Sequence, residues 1–218
     1  MRRALGALMT TLGLGAVLAA DVPPNSSIAG FARFESNKWL FRACVGHGKM
    51  SVLDARGLPF IDATPGRVLT AAIQQRWQQS AEPLRGIYLE ITGYVEEGRV
   101  TATQLHRALG WVASCAERPS NIPGGTRAWA AGNEPSWGFV LDGKSATLRT
   151  MDGVLTWPAA VWKPDGSTAV FEASAVAGRI RVELSDGLCS DTMSEAAFGR
   201  RVVAAVNGAF YTGCGLTR

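Results

Sequence analysis

Histidine is nearly missing from this chain: among 218 residues only His47 and His106 occur. A nucleophilic serine needs a base within hydrogen-bond reach, and neither histidine sits near a G-x-S-x-G or comparable stretch. The usual serine-hydrolase arrangement is therefore not written here. The four cysteines contain no C-x-x-C pair, and with so few histidines a zinc site has too few ligands of the right spacing. No metal and no cofactor is expected. Lysine is scarce too, four against eighteen arginines, and the arginines are scattered rather than gathered in a stripe. The electrostatic footprint of a nucleic-acid binder is lacking, so no nucleic-acid partner is expected. After the first twenty residues no apolar run approaches the ~20 residues needed to span a bilayer.

What is present begins with MRRALGALMTTLGLGAVLAADVPPN. Arg2 and Arg3 precede an apolar run, Ala4 to Leu18, which ends in small residues. This is the pattern of a secretory signal peptide over residues 1–20. No cysteine follows the run, so no lipid anchor is expected, and the mature chain should begin near Ala20 or Asp21. Removing the two arginines takes the formal charge from +4 to about +2. The expected location is the periplasm, with no stable membrane insertion after cleavage.

In an oxidising compartment an even number of cysteines implies disulfides. Cys44, Cys115, Cys189 and Cys214 allow three pairings. Cys44–Cys115 with Cys189–Cys214 is the one that closes each bridge within one half of the chain. Between the halves lies CAERPSNIPGG, Cys115 to Gly125, rich in Pro, Gly, Ser and Asn and without periodicity. It separates a module at 27–116 from one at 126–218, each small enough to need a disulfide beside its core.

The first module reads as a strand over Phe31 to Val45 and a second within HGKMSVLDARG. Then comes a helix in TPGRVLTAAIQQRWQQS, with Thr64 as N-cap, Pro65 at its first position and Val68, Ala72, Ile73 and Trp77 on the apolar face. A strand alternates through RGIYLEITGYVEEG, and a last one closes RVTATQLHRALGWVASC, with part of Leu105 to Val112 open to a helical reading. This order, β-β-α-β-β, predicts an OB-like barrel. The second module shows short strands punctuated by Asp142-Gly143, Asp152-Gly153, Asp165-Gly166, Asp186-Gly187 and Asn207-Gly208, a pattern of antiparallel hairpins, with a short helix at Ser194 to Phe198. The fold class is mainly β with one helix, in two small β-barrel-like modules.

Three stretches of the second module stand out. GNEPSW supplies Gly132, Asn133, Glu134, Pro135 and Trp137. CSDTMS supplies Cys189, Asp191, Met193 and Ser194, and GCG supplies Gly213, Cys214 and Gly215. Glu134 with Asp191 could form a carboxylate pair for acid–base work, with Ser190 or Ser194 as a nucleophile. The alternative is structural: Gly132-Asn133 in a positive-φ turn, Glu134 extended before Pro135, Trp137 buried, and Asp191 and Ser194 as backbone caps.

The combination G-N-E-P-x-W, C-x-D-x-M-S and G-C-G resembles a family of uncharacterised envelope proteins and lipoproteins of proteobacteria, over about 85 residues. That resemblance implies a disulfide between the cysteines of the last two stretches and no activity. The first module is similar to the C-terminal OB-type domain of NlpE-like envelope lipoproteins. It shares Cys44 after an early strand, a central helix, the stretch Gly86 to Gly93 and Cys115 after the last strand. The lipid-attachment cysteine and the Cys-rich metal-binding half of those proteins are not matched. The resulting expectation is a soluble periplasmic binding or interaction protein, whose partner is an envelope protein or a small ligand. The alternatives are a proteinaceous inhibitor of a lysozyme-type hydrolase and an enzyme with a carboxylate site.

Overall fold

The structure is a computed structural model that describes residues 22–44, 57–79, 86–117, 122–158, 161–165, 167–191 and 193–218. The signal-peptide reading, the strand expected in 47–57, His47 and Gly166 lie wholly or largely outside these. Among the described residues strand makes up 67% and there is a single α-helix, so the fold class is mainly β as the turn spacing predicts.

The first unit is built from β1 (Val22–Glu35), β2 (Lys38–Ala43), β3 (Leu58–Asp62), α1 (Val68–Gln79), β4 (Ile87–Glu96) and β5 (Arg99–Leu109). The run expected as one strand from Phe31 to Val45 is a hairpin. Ser36 and Asn37, with φ of 49° and 63°, make a two-residue turn that sends β2 back along β1. The order is thus β-β-β-α-β-β. β1 pairs with β2 and β4, β2 with β3, β4 with β5, and β3 runs parallel to β5, which closes a five-stranded barrel. A helix between the third and fourth strands and a parallel closure are the OB-type connection. Ile28, Phe41, Ile87, Leu89, Ile91 and Leu105 fill the barrel, and α1 packs on it through Leu69, Ala72 and Ile73. The amphipathic spacing of the helix is as read, but its start is not. Pro65–Arg67 form a 3-10 turn, and Asp62 takes the Thr70 N–H at 2.7 Å while the Thr64 hydroxyl takes that of Leu69 at 3.2 Å. Leu105 to Leu109 continue β5 as strand, because their side chains fill the barrel and the module boundary.

The second unit contains β6 (Ala128–Asn133), β7 (Ser136–Leu141), β8 (Ser145–Thr150), β9 (Gly153–Pro158), β10 (Val161–Asp165), β11 (Thr168–Ala175), β12 (Gly178–Asp191), β13 (Ala196–Val206) and β14 (Ala209–Thr217). Successive strands pair antiparallel except β9 and β10, and β14 pairs antiparallel with β6. Followed round both ways from β6, these pairings give β9 and β10 the same sense, one bonded to β8 and the other to β11. The sheet therefore wraps around a core of Trp137, Phe139, Trp157, Phe171, Val182 and Val202. The tight turns fall at Asp142, Asp152 and Asn207, but Asp186-Gly187 is no turn. There β12 shifts register between Asp186 and Cys189, and the Arg200–Asp186 ion pair at 2.8 Å stands at the edge of the shift. The helix expected at Ser194 to Phe198 is instead a turn followed by β13, whose Ala196–Phe198 pair with Arg107–Leu109 of β5.

That pairing makes one sheet of the two units. Between them lies a third core, with Phe31, Tyr88, Leu109 and Val112 from the first unit and Phe198, Cys214 and Leu216 from the second. The stretch 115–125 links the units in sequence, and each unit keeps its own core beside the shared one. Among the described residues no helix is long and apolar enough to cross a membrane.

Candidate functional site

The three motif stretches come together at one place, where β6, the end of β12 and β14 meet. Glu134 and Pro135 form the two-residue tip of the β6–β7 hairpin, with Asn133 opposite Ser136 and a cis peptide between the tip residues. Gly132 and Asn133 are strand residues, not the positive-φ turn the dipeptide suggests. Gly132 is required for a different reason. A Cβ there would strike the Trp137 indole and the Thr212 carbonyl, and one on Gly213 would strike the Ala131 carbonyl. The missing side chain of Gly132 leaves room for the indole, and that of Gly213 lets β14 approach β6 closely. Trp137 is only 4% exposed, donates its Nε1–H to Thr212 O at 3.0 Å and tilts against Tyr211 at 5.9 Å between ring centres.

The disulfides are Cys44–Cys115 and Cys189–Cys214, the half-by-half pairing, and they fit an oxidising, non-cytoplasmic compartment. The second bridge closes 25 residues, a constraint of about 3.5 kcal/mol by chain entropy. It ties the end of β12 to β14. Asp191, two residues on, accepts from Asn133 Nδ2 at 2.7 Å, Ser194 Oγ at 2.6 Å and Met193 N at 2.9 Å. Partial burial raises its carboxyl pKa, but the bonds from Ser194, Asn133 and the Met193 N–H outweigh that and hold it below the usual range. The carboxylate stays ionised and occupied. Met193 is exposed.

A cleft of about 530 Å³ opens here, lined by Asn133, Ser190, Asp191, Arg201, Thr212 and the disulfide among others. Glu134 does not line it; it is exposed on the hairpin tip. The two carboxylates named for catalysis are not brought into one pocket. Ser190 donates to Gln75 Oε1 at 2.7 Å, and Ser194 donates to Asp191, so both hydroxyls are committed.

The β12–β13 hairpin is gripped from the first unit. The Arg76 guanidinium, 4% exposed, bonds to the Glu195 carbonyl, Trp111 Nε1 donates to Ser194 O at 3.3 Å, and Gln75 meets Ser190. Residues 187–198 thus form a clasp: the disulfide and Asn133 hold it to the second unit, and α1, Trp111 and β5 hold it to the first. Arg76 is not among the residues read from the helix's apolar spacing. No local signal announces that β13 would cross to β5.

Beside the clasp runs a buried polar network. Glu90 on β4 accepts from Arg107 at 2.7 Å, from the Tyr88 hydroxyl at 3.0 Å and from Arg218 at 3.2 Å. His106, on the next strand, shares a 2.8 Å hydrogen bond with Thr92. Burial, assisted by Arg218, pushes the His106 pKa down to about 4. An unfolded histidine titrates near 6.5, so between those values the unfolded chain binds the extra proton and acid erodes stability. We expect stability to fall by about 3 kcal/mol as pH drops from 7 to 4. His106→Gln should flatten that decline in urea titrations. A decline of equal depth in the variant would assign the loss to other groups.

A second cleft, of about 450 Å³, lies on the first barrel between β2, β3 and α1. Lys38, Trp39, Phe60, Ile61, Arg67 and Thr70 are among its lining residues. Phe34, Trp39 and Trp77 form a chain of rings with successive centres 5.2 Å apart. Phe34 and Ile61 remain 46% and 45% exposed. Of these side chains only Trp77 is named from the sequence, as part of the apolar face of the helix. The signal was in the β1–β2 hairpin, which sets Phe34 directly opposite Trp39.

Among the described residues no group of three His, Cys, Asp or Glu side chains could hold a metal ion. Comparison with protein-family models, with curated proteins and with solved structures finds no match for this chain.

Proposed function

We propose that this chain is a soluble binding protein of the bacterial envelope, exported to the periplasm and related to the NlpE-like and GNEPxW envelope proteins its motifs resemble. Its ligand seats in the aromatic cleft of the OB-type barrel. The observation that carries this reading is the contrast between the two clefts. At the motif cleft every functional-looking group except Glu134 is bonded inward, and Glu134 stands apart from Asp191. At the barrel cleft, aromatic rings and two cations face open space, which is the composition of a recognition surface. OB-type barrels use the face of their second and third strands for ligands, and β2 with β3 supplies most of this lining.

Immobilised mature protein should retain a specific component of a periplasmic extract, identified by mass spectrometry. Trp39→Ala should lose it and Glu134→Gln should keep it. Retention by Trp39→Ala together with loss in Glu134→Gln would move the site to the motif and overturn this reading.

A further inference from the structure

The barrel cleft carries more information about its occupant. Its lining includes two cations, Lys38 and Arg67, and one carboxylate, Asp62. Asp62 is already spent. Its Oδ1 accepts from the Thr64 N–H at 3.0 Å and from the Thr64 hydroxyl, and its Oδ2 accepts from the Thr70 N–H and hydroxyl, each at 2.7 Å. Both oxygens face the start of α1, so they hold the helix and leave the two cations to whatever enters. Trp39 and Phe60, on paired strands, line the cleft with the cations, and Trp39 packs at 85° to Trp77. Aromatic faces carry negative charge density and attract the polarised C–H hydrogens of a flat saturated ring.

We infer that this cleft binds an acidic glycan, a short run of pyranose rings bearing carboxylate groups. The pyranose faces lie on Trp39 and Phe60, and a carboxylate reaches Lys38 or Arg67. A single-stranded nucleic acid would also stack on the rings, but it carries a charge on every nucleotide and needs a continuous basic groove. Two cations do not make one, and the eighteen arginines are spread over the chain. An acidic peptide satisfies the cations without using the ring faces.

This inference rests on the proposed binding function, and one titration separates the two. The full mature chain is titrated calorimetrically with a galacturonate hexamer, a neutral glucose hexamer of the same length, hexaglutamate and a thymidine hexanucleotide. The galacturonate should bind at least tenfold tighter than each of the others, and its affinity should fall with added salt. Lys38→Gln with Arg67→Gln, both exposed positions, should weaken it about tenfold, bringing it to the level of the neutral sugar, with the melting temperature unchanged. Trp39→Ala should abolish binding of both sugars. Because Trp39→Ala could also loosen the barrel, Trp39→Phe serves beside it and should retain part of the affinity. Equal affinity for the neutral and acidic hexamers, or tighter binding of the peptide or the nucleotide, would overturn the acidic-glycan assignment while leaving the cleft as the site. Binding that ignores Trp39 would overturn both. Failure of every probe, with capture from extract still dependent on Trp39, would overturn the glycan assignment alone.

Discussion

Trp137→Ala is expected to destabilise the protein by about 3–5 kcal/mol, the usual cost of emptying a large buried aromatic site. The site collapses poorly, because Gly132 against the indole has no side chain to move into the space. The Thr212 carbonyl also loses its donor. Since a domain is stable by only about 5–15 kcal/mol, the variant should be partly unfolded at 37 °C. The clasp joins the units, so the first barrel should lose stability as well. Urea denaturation followed by circular dichroism measures this. A loss below ~1 kcal/mol would mean that the indole is not part of the core.

Glu90→Ala should be of similar size, about 3–5 kcal/mol, for an electrostatic reason. Arg107 is 3% exposed, and removing its carboxylate leaves a buried cation with far less compensation. Replacing both partners together, Glu90→Leu with Arg107→Met, should recover most of the loss, because the desolvation cost disappears with the charge. Acid tests the same pair. Burial raises the Glu90 pKa, but bonding to Arg107, its charge, Tyr88 and Arg218 together bring it below the ordinary carboxylate value. The stabilisation is therefore full above the unfolded pKa near 4.3 and is lost as pH falls through the folded value. It should persist at pH 5, where the His106 decline is already under way. If the double variant were no better than Glu90→Ala, the loss would lie in packing rather than charge.

Much of the architecture was legible because it is local. Turn dipeptides punctuate the second unit, alternation marks β4, and apolar spacing marks α1. Ser36-Asn37 was missed because neither residue is a Gly, although both adopt positive φ. Asp186-Gly187 was over-read, since the same dipeptide serves a bulge as readily as a hairpin. The candidate site was legible as a set of residues but not as an arrangement. Gly132, placed for a turn, makes room for Trp137, and Asp191 receives Asn133 from 58 residues away. The aromatic cleft and the grip of Arg76 on Glu195 depend on contacts between distant elements. Single-sequence periodicity contains no term for such contacts.

The central structural claim is that residues 187–198 clasp the two units into one cooperative fold. Differential scanning calorimetry of the oxidised chain tests it most directly. The account predicts one transition, with calorimetric and van't Hoff enthalpies equal, splitting into two when Cys189 and Cys214 are replaced by alanine and Arg76 by methionine. Two resolved transitions in the unaltered chain, one unaffected by Trp137→Ala, would contradict it.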